Sequence, residues 1–272
     1  MTRIIDTGTD QLLCNVRERV ATITLNRPDA RNALGDILTP ALRRMIRERG
    51  DDPDVGAILI TGTGTAFCAG GDVKSMGSQL PKPAMTKAEK TTQLKERQRA
   101  LTGALVGLRK PTVAALPGPA AGAGLAIALA CDIRLASASA FVSTGYARVG
   151  LAGDYGVAWL LTRLVGTAKA RELLFTADRV DAEACLRIGL VNRVLPEATF
   201  HEEAFAFAKL LADGPAVTLS LMKGNLDDAL HLTFLEALDR EAERLVESAA
   251  TADHKEAVRA FIEKRKPVFQ GK

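Results

Sequence analysis

The sequence predicts an α/β fold in which pairs of short strands alternate with helices over the first two-thirds of the chain. Residues 11–26 alternate between apolar and polar side chains in two short runs, which is the pattern of a β-hairpin. Short apolar runs then alternate with segments of helical spacing, and from Glu183 onward the pattern becomes helical. With 272 residues, of which 47% are hydrophobic and 25% charged, the chain is long enough to bury a large core.

The strands and helices of the N-terminal part follow from this periodicity. The hairpin strands are Leu12–Val16 and Val20–Leu25. Apolar residues recur at helical spacing over Leu34–Arg49, which predicts a helix. The apolar run Val55–Thr61 is typical of a buried strand. A second helix is predicted over Lys87–Leu108, where a charged first half leads into an apolar second half.

The middle part continues the alternation. Thr112–Leu116 is a short apolar run that predicts a buried strand, and Gly122–Ala130 predicts an apolar helix. Two further strands are predicted at Ile133–Ala136 and Ala140–Val142, and a helix at Gly156–Leu164.

The C-terminal part divides into helices at two proline-containing joints, residues 196–197 and 213–215. We therefore expect a core over residues 1–195 and a helical region over residues 196–272. The predicted helices of that region are Glu197–Ala212, Ala216–Leu230, Thr233–Ala249 and His254–Lys264.

Composition and charge argue against nucleic-acid and membrane proteins. The net charge of +4 is mild, and no basic stripe is interleaved with aromatic residues, so no nucleic-acid partner is expected. The longest apolar run, Ala120–Ala130, is shorter than the roughly 18–20 residues of a membrane span. The N-terminus has no signal-peptide pattern. No membrane association is expected either.

Cysteines and histidines are scattered along the chain. No two cysteines form a C-x-x-C pair, which argues against a disulfide framework or a zinc site and favours a reducing cytoplasm. The cysteines are Cys14, Cys68, Cys131 and Cys185. The histidines all lie in the predicted helical region, so neither a metal site nor a histidine-based triad is expected. They are His201, His231 and His254.

A turn of small residues leads directly into an apolar helix at residues 118–133. The segment is Gly-Pro-Ala-Ala-Gly-Ala-Gly-Leu-Ala-Ile-Ala-Leu-Ala-Cys-Asp-Ile. Small side chains let a ligand approach the main chain, and the free N–H groups of the first helical turn point towards it. Such a turn can hold an oxyanion without any charged side chain. The same segment could instead be a small-residue helix packed tightly against a neighbour.

A second small-residue turn follows the strand near residue 61, in Phe-Cys-Ala-Gly-Gly-Asp-Val at residues 67–73. Two further motifs are Ile-Thr-Leu-Asn-Arg-Pro-Asp-Ala-Arg-Asn-Ala-Leu at residues 23–34 and Ala-Phe-Ile-Glu-Lys-Arg-Lys-Pro at residues 260–267. Together the four motifs resemble the enoyl-CoA hydratase/isomerase (crotonase) superfamily over nearly the whole chain. The resemblance implies a crotonase-like spiral of β-β-α repeats that binds acyl-CoA, followed by a helical region that forms a homotrimer or a dimer of trimers.

The resemblance also implies the residues of the site. The thioester carbonyl is expected between the backbone N–H groups of Gly71 and Ala123, which would stabilise an enolate. Phe261 and Lys264 are expected to reach the nucleotide bound by a neighbouring subunit. Coenzyme A enters as part of the substrate, and no separate cofactor or metal is expected. The residues implied in substrate binding are Arg27, Ala30, Ala69, Asp72, Val73, Tyr146, Phe261 and Lys264.

The chain departs from the hydratase pattern of this family at both catalytic glutamates. The first would fall at Ala126, and the second at Gly145 or Tyr146. None of these residues moves a proton readily at neutral pH, since even tyrosine has a reference pKa of about 10. A hydration mechanism with two glutamates is therefore not supported by this sequence.

One carboxylate remains, that of Asp154. The resemblance places it where double-bond isomerases and the phenylacetyl-CoA epoxide isomerase branch carry their acid/base. Burial beside apolar neighbours such as Leu151 and Trp159 would raise its pKa towards a useful range. Alternatively, Asp154 is only the N-cap of the helix that follows.

Three functions are compatible with these residues. The first is an acyl-CoA isomerase that uses Asp154 for a 1,3-proton shift. The second is an enoyl-CoA hydratase with an atypical acid/base arrangement. The third is a non-catalytic protein that binds CoA esters, since the loss of both glutamates is also what degeneration would produce.

Overall fold

A large sheet and a small sheet organise the fold. The structure, a computed structural model, describes residues 1–72 and 85–272. Within them the strands are β1 (Arg3–Ile5), β2 (Leu12–Arg17), β3 (Val20–Leu25), β4 (Ala57–Gly62), β5 (Thr112–Leu116), β6 (Ala120–Ala121), β7 (Ile133–Ser137), β8 (Phe141–Ser143), β9 (Val180–Asp181) and β10 (Arg193–Leu195).

The large sheet has the strand order β1-β2-β3-β4-β5-β7-β10, and the small sheet has the order β6-β8-β9. Strands β1 to β3 are antiparallel, whereas β3, β4, β5, β7 and β10 run parallel to one another. In the small sheet β6 is parallel and β9 antiparallel to β8. The small sheet matters for function because it places the start of the apolar helix beside the end of β8.

The helices lie against both faces of the large sheet and beyond its end. Between α2 and α3 the chain forms a π-helical turn over Arg99–Gly103. The α-helices are α1 (Leu38–Asp51), α2 (Lys87–Gln98), α3 (Ala104–Gly107), α4 (Ala123–Ala130), α5 (Val157–Thr176), α6 (Ala182–Arg187), α7 (Phe200–Ala212), α8 (Ala216–Asp228), α9 (Phe234–Ala249) and α10 (Ala252–Ile262).

The two faces of the large sheet bury different partners because side chains alternate along each strand. Ile23 and Ile60 belong to the larger apolar cluster, together with α1 and every residue of α4 except Gly124. Leu59 lies on the opposite face, in a smaller cluster with Phe200 and the buried alanines of α7. Each fully buried Leu, Ile or Phe contributes about 1.5–3 kcal/mol, so both faces stabilise the sheet.

Most predicted elements are confirmed, with shifts at their ends. The hairpin and the Thr112–Leu116 strand are observed as predicted. The helix predicted from Leu34 begins at Leu38 instead, because Leu34 forms a parallel bridge with Gly71 and is extended. The predicted helix over Lys87–Leu108 is interrupted by the π-helical turn.

The prediction that the chain is helical from Glu183 onward is wrong at Arg193–Leu195. These three residues form β10, which pairs in parallel with β7. A run of three residues is too short to show a period, and the pairing with β7 decides its conformation. Ala120–Ala121, which belong to the predicted small-residue turn, likewise form β6 by pairing with β8.

The C-terminal helices expose many apolar side chains. Helix α9 has no buried residue. The exposed apolar side chains of α9 and α10 are Phe234, Leu235, Leu238, Leu245, Val246, Val258, Phe261 and Ile262. Scattered exposed apolar residues are ordinary, but eight of them on two helices that contact each other indicate an interaction surface.

A search of the described ranges finds no single helix long and apolar enough to cross a membrane. The segments Glu197–Ala212 and Ala216–Asp228 meet the length and composition criteria only as a pair, with a bend of 97° between them. Residues 1–72 and 85–272 also contain no group of three or more His, Cys, Asp or Glu side chains arranged to hold a metal ion.

Candidate active site

Two backbone turns, at residues 69–72 and 121–123, lie directly against each other. Gly70 has φ +91°, and a methyl group added to it would lie 2.8 Å from the Ala121 carbonyl oxygen. The same methyl group would lie 3.4 Å from the amide nitrogen of Ala123. Both the conformation and the close approach therefore require glycine at position 70. The turn that contains Gly71 is packed against the first turn of α4.

Hydrogen bonds on either side of Gly71 fix its turn. The Leu34 amide donates to the Gly70 carbonyl at 2.7 Å, and the Asp72 amide donates to the Leu34 carbonyl at 3.0 Å. This register leaves the Gly71 amide outside the bridge. Among residues 1–72 and 85–272, neither the Gly71 amide nor the Ala123 amide donates a hydrogen bond. Ala123 is the first residue of α4, where no intrahelical carbonyl is within reach.

The start of α4 is held between the end of β8 and the loop after β4. The Gly122 amide donates to the Ser143 carbonyl at 3.1 Å, and the Ala121 amide donates to the Cys68 carbonyl at 2.9 Å. A methyl group at Gly124 would lie 2.4 Å from the Cys68 carbonyl oxygen and 2.7 Å from its Sγ. Burial raises the pKa of the Cys68 thiol to about 12, so this cysteine is a small buried hydrophobe, as a cysteine without a nearby histidine is expected to be.

Arg27 and Asp72 form an ion pair at the edge of the first turn. Arg27 Nη2 lies 3.0 Å from Asp72 Oδ2, and Arg27 Nη1 donates to the Ala33 carbonyl at 2.6 Å. Both side chains are about one-fifth exposed. Asp72 therefore braces the loop through Arg27, and its expected contact with the CoA ester stays a prediction.

Asn32 is a structural residue of this region that sequence reasoning missed. It is fully buried with φ +56°. Its Nδ2 donates to the carbonyls of Thr63 and Ala66 at 3.0 Å and 2.8 Å, and its Oδ1 accepts from the Arg27 amide at 2.8 Å. Asn32 thus joins the loop after β3 to the loop after β4, and its only signal was an asparagine in a loop beside two apolar strands.

Asp154 pairs with Tyr146 across a short loop. The Tyr146 hydroxyl donates to Asp154 Oδ1 at 2.6 Å, and Tyr146 is only 7% exposed. Burial raises the pKa of the Asp154 carboxyl above its ordinary value, and the hydrogen bond from Tyr146 opposes part of that rise. Leu151 and Trp159, which were expected to bury the carboxyl, are themselves exposed by 54% and 40%.

The interpretation of the Asp154 side chain as a helix cap is wrong. The N-cap of α5 is Gly156, with φ +77°, and no side chain caps this helix end. Asp154 contributes only its backbone carbonyl, which accepts from the Val157 amide at 3.2 Å. Its carboxylate is therefore available for a role other than capping.

A chain of contacts connects the backbone turns to Asp154. A methyl group at Gly145 would lie 3.9 Å from the Gly122 amide nitrogen, and the next residue is Tyr146. One at Gly153 would lie 3.9 Å from Cδ2 of Tyr146. The end of β8 therefore carries Tyr146, and with it Asp154, to the side of the small sheet where α4 begins.

The position where the first hydratase glutamate was expected holds a fully buried alanine. Ala126 lies in α4 and belongs to the large apolar cluster. Tyr146 stands near the position of the second. The site as described thus has one carboxylate beside Tyr146 and none at Ala126.

The remaining predicted residues lie around the loops or at the C-terminus. Ala30 closes a 3₁₀ turn over Pro28–Ala30 and is half-buried, while Ala69 is exposed. Phe261 is 85% exposed near the end of α10, and Lys264 follows that helix with φ +53°. Val73 lies outside the described residues. The expected contacts of these residues with CoA stay predictions.

A cleft lies on the other face of the sheet. It has a volume of about 560 Å³ and lies between the sheet and α7, lined among others by Thr22, Thr24, Thr61, Arg17 and Phe205. None of the predicted site residues lines it. We therefore place the candidate site at the backbone turns and not in this cleft.

Comparison with known proteins identifies the family of this chain. A family model for enoyl-CoA hydratase/isomerase matches residues 15–272. The chain is 35% identical to a probable enoyl-CoA hydratase of Mycobacterium tuberculosis, over 96% of this chain and 98% of that protein. It is 33% identical to the 1,2-epoxyphenylacetyl-CoA isomerase of Escherichia coli, again over 96% and 98%.

Solved structures give the same result. The crystal structure of an enoyl-CoA hydratase from Polaromonas sp. JS666 superposes with a TM-score of 0.86 at 30% identity, and the match covers 95% of this chain and 99% of that one. The fold, the sequence and the family model therefore agree. The chain belongs to the enoyl-CoA hydratase/isomerase family, the crotonase superfamily, and is an enzyme that processes acyl-CoA.

Proposed function

We propose that the protein is an acyl-CoA isomerase, which moves a double bond or rearranges a ring by means of a single carboxylate. The observation that carries the proposal is the hydrogen bond of 2.6 Å between Tyr146 and Asp154. It holds a half-buried carboxylate that does not cap α5. A structural aspartate at this loop would instead be expected to cap the helix or to form an ion pair.

The Gly71 and Ala123 amides would supply the electrostatic part of the mechanism. A thioester enolate carries its negative charge on the former carbonyl oxygen, and preorganised N–H donors stabilise that charge. The two amides lie on adjoining turns, and each lacks an acceptor within the described ranges. The methyl group of Ala123 leaves its N–H group unchanged.

Asp154 would supply the acid/base part. Its carboxylate takes a proton from one carbon of the acyl chain, and the electron pair of that C–H bond passes into the enolate. The same carboxyl then returns the proton to another carbon, which restores the thioester carbonyl. This 1,3-shift needs one acid/base group and involves no net oxidation, so no redox cofactor is required.

We include a ring rearrangement in the proposal because of the similarity to the Escherichia coli enzyme. That protein is a 1,2-epoxyphenylacetyl-CoA isomerase. The sequence Gly-Pro-Ala-Ala-Gly-Ala-Gly at residues 118–124 also resembles this branch of the family. A ring-bearing CoA ester is therefore one of the substrates to test.

A hydratase with an atypical acid/base is the second candidate. The observation in its favour is that most relatives carry hydratase names, such as the short-chain-enoyl-CoA hydratase of Clostridium acetobutylicum, which is 34% identical over 91% of this chain. In such an enzyme Asp154 would have to handle both the water and the proton. The buried Ala126 offers no help with either.

A panel of CoA esters separates the two candidates. Purified protein is incubated with 2-enoyl, 3-enoyl and ring-bearing CoA esters, and products are followed by mass and ultraviolet absorbance. Isomerisation leaves the mass unchanged, whereas hydration adds the mass of one water. Rapid hydration of a 2-enoyl-CoA without isomerisation of any ester would overturn the isomerase proposal.

We also propose that a second and a third copy of the chain cover the exposed apolar face of α9 and α10. A homotrimer, or a dimer of trimers, would bury the side chains of Phe234 and Leu245, which are 78% and 69% exposed in a single chain. Light scattering coupled to size-exclusion chromatography tests this assembly. A mass of one chain at micromolar concentration would contradict it.

The site is expected to be completed by this assembly. Phe261 and Lys264, at the exposed end of α10, would reach the nucleotide of a CoA bound by a neighbouring copy. The four cysteines are free, which supports a reducing compartment, the cytoplasm, as the place where the enzyme acts. Fractionation of cells that express the tagged chain would test that placement.

A further inference from the structure

We propose that Tyr146 is a positioning residue for Asp154, holding Oδ1 so that proton exchange with the substrate takes place at Oδ2 alone. The inference rests on the proposed function, because only a carboxylate that exchanges protons needs its two oxygens distinguished. It assigns Tyr146 a role towards Asp154 in place of direct contact with the CoA ester.

Tyr146 closes the loop at two points, through its carbonyl and through its hydroxyl. The Tyr146 carbonyl accepts from the amides of Val149 and Leu151 at 3.1 Å and 3.0 Å. Its hydroxyl reaches across the loop to Asp154 Oδ1 at 2.6 Å. Both ends of the segment from 146 to 154 are thus tied to Tyr146, whose ring is buried. The carboxylate cannot rotate freely about its last bond without breaking the short hydrogen bond.

The other groups around the loop act on the neighbouring residue and not on the carboxylate. The Tyr155 amide donates to Oε1 of Gln98, at the end of α2, at 2.8 Å. Arg43, on α1, faces the Tyr155 hydroxyl, with Nη2 3.5 Å from Oη. Within residues 1–72 and 85–272, no Lys, Arg or His forms an ion pair with Asp154. Tyr146 is therefore the group that stabilises the charged form of Asp154.

The two oxygens of the carboxylate are consequently unequal. Oδ1 accepts from Tyr146, whereas Oδ2 makes no hydrogen bond with the described residues. In the 1,3-shift, Oδ2 gains the proton as a C–H bond breaks, and loses it as the second C–H bond forms. Burial and the adjacent carboxylate raise the Tyr146 pKa above its ordinary value, so the hydroxyl stays protonated and keeps donating throughout.

Removal of the hydroxyl alone should have two effects. Tyr146→Phe keeps the buried ring but leaves Oδ1 without its donor, so the carboxylate is free to rotate and turnover should fall about tenfold or more. The charged form of Asp154 also loses its stabilising partner. The Asp154 pKa should therefore rise in the variant.

The test measures both effects in the full-length enzyme. The acid limb of the kcat/KM profile, on the ester that the panel identifies, should move to higher pH in Tyr146→Phe. Independently of activity, the Asp154 side-chain carboxyl is titrated by carbon-13 NMR in both proteins, and its pKa should be higher in the variant. The matched control is Tyr155→Phe, which should leave the acid limb and the Asp154 pKa unchanged.

The outcomes distinguish this inference from the proposed function. Unchanged turnover in Asp154→Asn would remove the proposed function, and the positioning role with it. A large loss in Asp154→Asn, together with an unmoved acid limb and an unmoved carboxyl pKa in folded Tyr146→Phe, would overturn the positioning role alone. A shift of equal size in Tyr155→Phe would also overturn it, since the effect would then belong to the loop in general.

Discussion

The two parts of the candidate site are built from different material. The turns at Gly71 and Ala123 present backbone amides, and their surroundings are packed so closely that a methyl group at Gly70 would lie 2.8 Å from a carbonyl oxygen. The loop of Asp154 presents side chains instead. Its Gly150 and Gly156 also have positive φ, but a methyl group at either would meet nothing within 4 Å.

This difference decides how each part can be tested. A backbone donor cannot be deleted by mutation, so changes at the turns act through the packing that aims the amides. The Asp154 carboxylate can be removed with little change of shape. We therefore expect activity and stability to fall together at the turns and to separate at the loop.

The largest effect is expected from Asp154→Asn. The amide keeps the size of the side chain but cannot take a proton, so turnover on the true substrate should fall by about 10²–10⁴, the usual contribution of a positioned acid/base. Folding and CoA-ester binding should be nearly unchanged. Steady-state kinetics and circular dichroism measure these properties.

The control for this substitution is Asp178→Asn. Asp178 pairs with Arg148 on the exposed surface, at 3.3 Å, and its removal should alter neither turnover nor stability measurably. Equal turnover per folded molecule in Asp154→Asn and the parent enzyme would show that Asp154 has no part in the chemistry.

The second effect is expected at the turns, from Gly70→Ala. The added methyl group meets the Ala121 carbonyl oxygen, and φ +91° is unfavourable for any side chain. We expect a loss of about 2–4 kcal/mol in the free energy of unfolding, with a fall in turnover of about 10²–10³ as the Gly71 amide moves out of line. Gly150→Ala, in open space at φ +67°, should cost only about 1–2 kcal/mol.

Denaturant unfolding and kinetics on the two glycine variants check this contrast. A Gly70→Ala enzyme as stable as Gly150→Ala would mean that the first turn yields to the added methyl group. Loss of stability with full turnover per folded molecule would separate the turn from the chemistry and weaken the case for an oxyanion site.

The sequence predicted the backbone part of the site better than the side-chain part. The small-residue turns are contiguous motifs, so the residues themselves indicated both the turns and the helix that begins at Ala123. The Tyr146–Asp154 hydrogen bond depends on how the intervening loop closes, and no periodicity encodes that. The hydrogen bond between Gln98 and Tyr155 is still harder to predict, because the two residues are 57 positions apart in the sequence.

The fold shows the same division. Long periodic segments, such as the β2–β3 hairpin, were predicted because their side chains alternate by themselves. The short strands β6 and β10 exist only because β8 and β7 are there to pair with them. Elements that tertiary contacts create, like the Asn32 link between two loops, leave little mark in a single sequence.

A smaller effect is expected at the edge of the turns, from Arg27→Ala. Arg27 is paired with Asp72 and donates to the Ala33 carbonyl, so its loss loosens the loop that is expected to contact CoA. KM should rise about tenfold with little change in kcat, because binding and not the chemical step is affected. Arg27→Lys should recover only part of this, since it keeps the charge but loses the forked geometry.

The comparison for Arg27 is Arg109→Ala. Arg109 forms an ion pair with Asp227 at 2.8 Å on the exposed surface, and neither residue belongs to the predicted site. Arg109→Ala should leave KM unchanged. A fall in kcat with unaltered KM in Arg27→Ala would instead place this residue with the reacting groups.

The smallest effect tests whether the charge of Asp154 lowers the stability of the folded protein. Because burial raises the folded-state pKa of Asp154 above its unfolded value, the folded protein holds the proton more tightly. The resulting stability is fully present below the unfolded pKa of about 3.9 and is lost as pH rises through the folded pKa. At neutral pH the charged carboxylate therefore slightly destabilises the folded protein. Asp154→Asn should raise Tm by about 1–3 °C. The gain should shrink as the pH falls and the parent carboxyl takes up a proton. Thermal unfolding of both proteins at pH 4 and pH 7.5 measures it, and a lower Tm for Asp154→Asn at pH 7.5 would mean that the charge stabilises the fold, contrary to the direction of the pKa.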